Sequence, residues 1–159
     1  MTLKTNIGIS APDRQEVSTR LNKLLADEFI LYTKTRNAHW NIEGPDFHSV
    51  HLFFESQYRE LELMVDDVAE RIRSLGHYAA GTLKGFLDVT HLTETTRSKN
   101  DSSGFINELL EDHNSIVEYI RINIEPIAME FRDYGTSDFI TGIMEQHEKL
   151  AWMLRSHLK

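Results

Sequence analysis

Helix-breaking residues are missing from four long stretches of this chain, and that leaves little choice of fold. Neither Gly nor Pro occurs from Asp13 to Glu43, from Asp46 to Leu75 or from Phe105 to Glu125, and Thr136 to Lys159 holds only Gly142. Apolar residues recur at helical spacing in each stretch: Val17, Leu21, Leu24, Leu25 and Tyr32; Val50, Phe54, Leu61, Val65, Val68 and Ile72; Phe105, Leu109, Ile116 and Ile120; Ile140, Ile143, Leu150 and Leu154. Nothing alternates with period two for long, so the pattern predicts four long helices and no sheet. Ser10 and Asp13 around Pro12, Asp46, Ser102 or Ser103, and Thr136 or Ser137 read as helix starts, with Gly76 and Gly135 as stops. Pro126 either kinks the third long helix or ends it early.

The links then set the topology. Glu43-Gly44-Pro45 and the segment near Tyr134-Gly135 are short, so each joins an antiparallel hairpin. Gly76 to Asp101 gives about 26 residues, enough to travel the length of a helix and make the second and third long helices parallel. A four-helix bundle with one long crossover is the ferritin-like arrangement. A short helix over Thr82 to Leu87 is expected within the crossover. The length of 159 residues fits one such domain, preceded by a flexible tail over residues 1–12.

Composition limits the chemistry. Zero cysteine excludes thiolate nucleophiles and disulfides, so any metal must be held by histidine and carboxylate. The formal net charge of −8 disfavours polyphosphate and favours cations. No run approaches a membrane span, and the start MTLKTNIGIS lacks the order of a secretory signal, so a cytoplasmic location is expected.

His39 and His51 lie at equal distances from Pro45, so they face each other across the first hairpin, between helix axes roughly 8 to 10 Å apart. Glu55, Glu62, Asp66 and Glu70 follow His51 along one broad stripe of the second helix. Between Glu55 and Glu70 stand six acids and a single base, Arg59, whereas a solvated face normally mixes signs. On one straight helix His51 and Asp66 are about 22 Å apart and cannot share an ion. Either there are two separate sites, or the second half comes from another copy of the chain. Two second helices crossing antiparallel near residue 59 or 60 would bring His39 and His51 of one subunit to Asp66 and Glu70 of the other.

Two imidazoles and two carboxylates suit iron, zinc or manganese, with iron the leading candidate. Carboxylate-rich sites favour Fe(III), which makes bound Fe(II) easier to oxidise. None of the eight histidines has a Glu three positions before it, which disfavours the intrachain di-iron centre of other bundles.

The run His39-Trp40-Asn41-Ile42-Glu43-Gly44-Pro45-Asp46-Phe47, then Val50 to Glu55, Asp66 to Ile72 and Leu75-Gly76, resembles the Dps family of miniferritins over nearly the whole chain, late Trp152 included. The resemblance implies a dodecameric shell that oxidises Fe(II), preferably with hydrogen peroxide, stores ferric mineral and protects DNA. It maps the metal ligands onto His39, His51, Asp66 and Glu70, with Glu55 assisting a second iron, and zinc or manganese as competitors. Trp40 matches a tryptophan that takes up oxidising equivalents. Iron entry at three-fold pores would fall to Asp133 and Asp138, and mineral nucleation to Glu60 or Glu62.

The alternative function is a DNA-compacting, nucleoid-associated protein. Residues 1–14 carry only Lys4 and Arg14 against Asp13, where DNA-binding members have a lysine-rich tail, so direct DNA binding is expected to be weak. His147 reads as a core histidine and His48 as a surface one. His77, His91, His113 and His157 carry no spacing argument.

Overall fold

The computed structural model describes residues 5–94 and 97–159. Five helices follow in order: α1 (Ala11–Asn41), α2 (Phe47–Ser74), α3 (Leu83–Val89), α4 (Ser102–Met129) and α5 (Tyr134–Ser156). Among the described residues there is no strand. The four long helices match the four breaker-free stretches, and α3 is the short helix expected in the crossover. Pro126 neither ends nor interrupts α4, which runs through it to Met129 and stops one turn later.

The helix starts follow local chemistry that the sequence leaves ambiguous. Ser10 caps α1 by accepting from the Asp13 backbone N–H at 3.2 Å. Asp46 stands at the start of α2 but makes no cap bond; its Oδ2 accepts from the Ser102 hydroxyl at 2.6 Å instead. Asp101, not Ser102 or Ser103, caps α4 through the Gly104 N–H at 2.8 Å. Asp133, not Thr136 or Ser137, caps α5 through the Thr136 N–H at 2.9 Å. At the end of α2, Gly76 takes φ +87°, a left-handed value that closes the helix through its N–H to Arg73 O at 2.9 Å.

Part of the stretch 1–12, expected as a tail, is built into the domain. Helix α1 begins at Ala11, and Ile9 packs against the core while its carbonyl accepts from Arg14 Nη1 at 2.6 Å. Lys4 and the other residues of 1–4 lie outside the described residues.

Helix α1 sits against α2, α3 and α4, and this explains why so many of its polar residues are buried. Arg20 donates to Asn123 Oδ1, and Lys34 pairs with Asp112 and Glu108, so α1 and α4 run antiparallel. Since α1 and α2 form a hairpin, α2 and α4 are parallel, as the long crossover requires. The crossover is tied to α1 along its length. Asn22 Oδ1 accepts from Ala80 N at 2.7 Å, Asp27 Oδ1 from Thr90 Oγ1 at 2.7 Å and His91 N at 3.0 Å, and Lys34 Nζ donates to Thr93 O at 2.9 Å.

One continuous apolar core runs from Val17 to Leu154, with Phe54 and Phe105 meeting edge to face across it at 6.3 Å. Each fully buried Leu, Ile or Phe contributes about 1.5 to 3 kcal/mol. Within this core lies a polar chain: Glu28 Oε1 is 2.6 Å from His147 Nε2, and His147 Nδ1 is 2.8 Å from His113 Nδ1. All three side chains are at most 1% exposed. Burial, reinforced by the charge of His147, holds His113 well below the ordinary imidazole value.

Two outcomes are expected from this chain. The unfolded protein takes up a proton on residue 113 below about pH 6.5 while the folded protein does not, so stability should fall as pH drops through that value. Urea midpoints between pH 7.5 and 5 should show this, and His113→Leu should flatten the dependence. Glu28→Ala, which strands a buried imidazole, should cost about 3 to 5 kcal/mol in the same unfolding experiment, and Glu28→Gln less.

Candidate metal centre

The turn between α1 and α2 sets His39 and His51 side by side, with ring centroids 3.8 Å apart and planes 18° from parallel. Each ring is fixed by the other residue's backbone. Nδ1 of His39 lies 2.8 Å from the His51 carbonyl, and Nδ1 of His51 lies 2.8 Å from the His39 carbonyl. A carbonyl oxygen only accepts, so both Nδ1 atoms hold a proton and donate it. Both Nε2 atoms are left with a free lone pair. This is the arrangement in which imidazole ligates a metal, its second nitrogen bonded to an outer acceptor. Phe47 stacks on His51 at 5.1 Å and Tyr58 meets His39 edge-on at 5.2 Å, so both rings are walled in.

Glu55 follows one turn after His51 and is held by Arg59, whose Nε and Nη2 both donate to Oε1, at 3.0 and 2.5 Å. That bond holds the Glu55 carboxyl below its ordinary value, and the two nearby imidazoles pull more weakly in the same direction. One chain thus brings His39 and His51 together, with Glu55 one turn further along α2 and turned to Arg59.

Asp66 and Glu70 are not part of this group. They are exposed further along α2, Asp66 about 22 Å from His51 along the helix. Among the described residues of one chain, no three His, Asp or Glu side chains are arranged to hold a metal ion. Trp40 is 62% exposed, with the Arg36 guanidinium 5.1 Å over its ring.

The two acids expected at a pore differ. Asp138 is exposed. Asp133 is 2% exposed, and its carboxylate is occupied by the Thr136 N–H and hydroxyl and by Arg71 Nη2 at 3.2 Å. It works as a buried cap and not as a free surface acid. Glu60 and Glu62 are exposed on α2.

Two polar groups with no assigned role in the sequence emerge from the structure. One is the buried Glu28, His147 and His113 chain. His113 lies four residues after Leu109 and three before Ile116, and that position on the apolar stripe is the signal that marks it. The other joins His91, whose Nδ1 is 2.7 Å from Asp27 Oδ2 and 2.7 Å from Lys23 Nζ, to the Ser115 hydroxyl through Nε2 at 2.7 Å. Tyr119 beside it is pushed up to about 12, first by burial and then by Asp27.

Comparison with known proteins now bears on this geometry. The ferritin-like domain model matches residues 18–159, so the class defined by the bundle and its long crossover is that of the ferritins. The chain is 34% identical over 144 residues to DNA protection during starvation protein 2 of Bacillus anthracis, covering 91% of this chain and 97% of that one. It is 40% identical to a low-temperature-induced protein of Nostoc sp., covering 98% and 87%. The crystal structure of a Dps protein from Vibrio cholerae O1, described as a member of the ferritin-like diiron-carboxylate proteins, superposes with a TM-score of 0.91 at 33% identity, covering 100% and 99%. The chain belongs to the Dps family of miniferritins.

Proposed function

We propose that this protein oxidises Fe(II), preferably with hydrogen peroxide, and stores the Fe(III) as mineral inside a dodecameric shell, so that DNA is spared oxidative damage. Membership of the Dps family supports iron storage and DNA protection at the level of the family. The reading for this chain is carried by one observation: two imidazoles locked by each other's carbonyls, each presenting a bare Nε2 next to an acidic helix.

Iron is the substrate. In this reading His39 and His51 of one subunit and Asp66 and Glu70 of its partner bind Fe(II), the neutral nitrogens selecting a borderline divalent ion and the carboxylates favouring its oxidised form. Glu55 leaves Arg59 to assist a second iron. Water screens this i,i+4 pair, so that exchange costs little. Zinc and manganese suit the same donors and act as competitors. Iron enters past Asp138, and ferric ion gathers at the exposed Glu60 and Glu62.

DNA is protected by consuming peroxide and iron and not by coating, since a chain at −8 repels phosphate. No described helix is long and apolar enough to cross a membrane.

The double variant His39→Ala/His51→Ala should lose rapid peroxide-dependent iron oxidation, followed by ferric absorbance, while keeping its oligomer size in gel filtration. Unchanged rates would sink the assignment. Shared sites make a sharper demand. When the His39/His51 variant is co-refolded with an Asp66→Ala/Glu70→Ala variant, half of random dimers are mixed and each mixed dimer regains one whole site, so about one quarter of wild-type activity should return. Ligands confined to one chain would restore none.

A further inference from the structure

Asp27, His91 and Ser115 form a second cluster, one that iron oxidation does not use. Three elements bring them together: Asp27 from the middle of α1, His91 from the crossover just past α3, and Ser115 from α4. His91 Nδ1 is 2.7 Å from Asp27 Oδ2, and Nε2 is 2.7 Å from Ser115 Oγ. The same carboxylate holds the adjoining backbone, its Oδ1 accepting from the His91 N–H at 3.0 Å and from the Thr90 hydroxyl at 2.7 Å. Ring and main chain of His91 are therefore fixed by one buried group, while the imidazole itself stays 33% exposed.

Which ring nitrogen carries the proton follows from what each neighbour would lose. Asp27 is fully buried, and apart from His91 its Oδ2 has only Lys23 Nζ, at 3.4 Å. Lys23 Nζ is also 2.7 Å from Nδ1, yet its side chain is 31% exposed and reaches water. A buried carboxylate short of a donor costs more than a part-exposed ammonium short of an acceptor, so Nδ1 donates to Asp27. Nε2 then turns its lone pair to Ser115, whose hydroxyl donates to it. Acid, imidazole and hydroxyl thus stand in the order that makes an alcohol a nucleophile, an arrangement defined by geometry and not by sequence position.

We infer that this cluster hydrolyses small aryl esters of short-chain carboxylic acids. Ser115 Oγ attacks the ester carbonyl carbon and its proton passes to His91 Nε2. The bond from that carbon to the alcohol oxygen breaks, and the alcohol leaves with the proton. Water then attacks the acyl group on Ser115, giving a proton to His91; the carboxylic acid departs and Ser115 recovers its hydrogen. Asp27 is the positioning residue, holding the imidazole in the tautomer that accepts. Helical hydrogen bonds occupy the backbone N–H groups around Ser115, so the charge on the developing oxyanion falls to the Lys23 ammonium. An open cavity of about 500 Å³, lined by Thr19, Arg20, Asn22, Lys23, Val89 and Tyr119, adjoins Lys23 and receives the aryl ring. Tyr119 stands one turn past Ser115, 5.9 Å from the His91 ring, and its hydroxyl is occupied by Arg20 O at 3.1 Å, so it offers the cavity its ring.

No iron enters this chemistry, so the test uses the metal-free, full-length oligomer. Release of p-nitrophenol from p-nitrophenyl butyrate is followed by absorbance, and a fluorophosphonate, which marks activated serines, is located by mass spectrometry of peptides. Wild type should turn the ester over and carry the phosphonate on Ser115. Ser115→Ala should lose both turnover and label. His91→Gln keeps the backbone N–H that Asp27 holds, and should slow labelling about 100-fold, the contribution of a general base. Asp27→Asn keeps the shape but reverses the tautomer, so kcat should fall about tenfold or more with KM little changed, a split that loss of packing alone does not give. Gel filtration checks that each variant keeps the oligomer size of wild type. Absence of label on Ser115, label confined to another residue, turnover that survives Ser115→Ala, or labelling as fast in His91→Gln as in wild type each overturns the inference.

Discussion

The long crossover governs this molecule, because a segment that must travel the length of a helix needs something to hold it there. Helix α1 does so with polar groups, the half-buried Asn22 and the buried Asp27 and Lys34, each of which takes hold of crossover backbone or side chains. Burying these groups would be costly without partners. Burial pushes the Asp112 carboxyl up even with Lys34 against it. Every other helix takes its direction from this arrangement, since the crossover returns the chain to the end where α1 meets α2.

At that end the pieces are joined again. The Glu43 N–H donates to Asn100 O at 2.9 Å, and Ser102 at the start of α4 donates to Asp46 in the α1–α2 turn. The turn that sets the separation of His39 and His51 is therefore braced by the last residues of the crossover. A rigid backbone there matters more than usual, because the backbone itself supplies the acceptors that fix both imidazoles.

Much of the architecture was legible in the sequence, because Gly, Pro and the apolar stripe are local signals. The pairing of His39 with His51 was equally open to reading, since a tight turn at Pro45 makes register a matter of counting. Other features depend on information that no short window holds. Asp46, Asp101 and Asp133 sit next to serines and threonines that cap equally well, and only the tertiary positions of Ser102 and Arg71 decide which side chain turns which way. His113 finds His147 34 residues later. The reciprocal carbonyl bonds that fix the imidazole tautomers are backbone contacts, so side-chain spacing does not reveal them. Asp66 and Glu70 are visible as a stripe, yet within one chain they stand apart from the imidazole pair.

The hairpin that holds the imidazole pair also has a history within each chain. His39 and His51 are 12 residues apart and join through contacts confined to α1, the turn and α2. Local contacts of this kind form early, before loop closure over longer distances. Asn100 and Ser102, which brace the turn, leave the ribosome some fifty residues later. The imidazole pair is thus laid down near the beginning of synthesis and made firm only once the crossover is complete, so a chain interrupted between those points holds paired histidines in a turn that nothing yet supports.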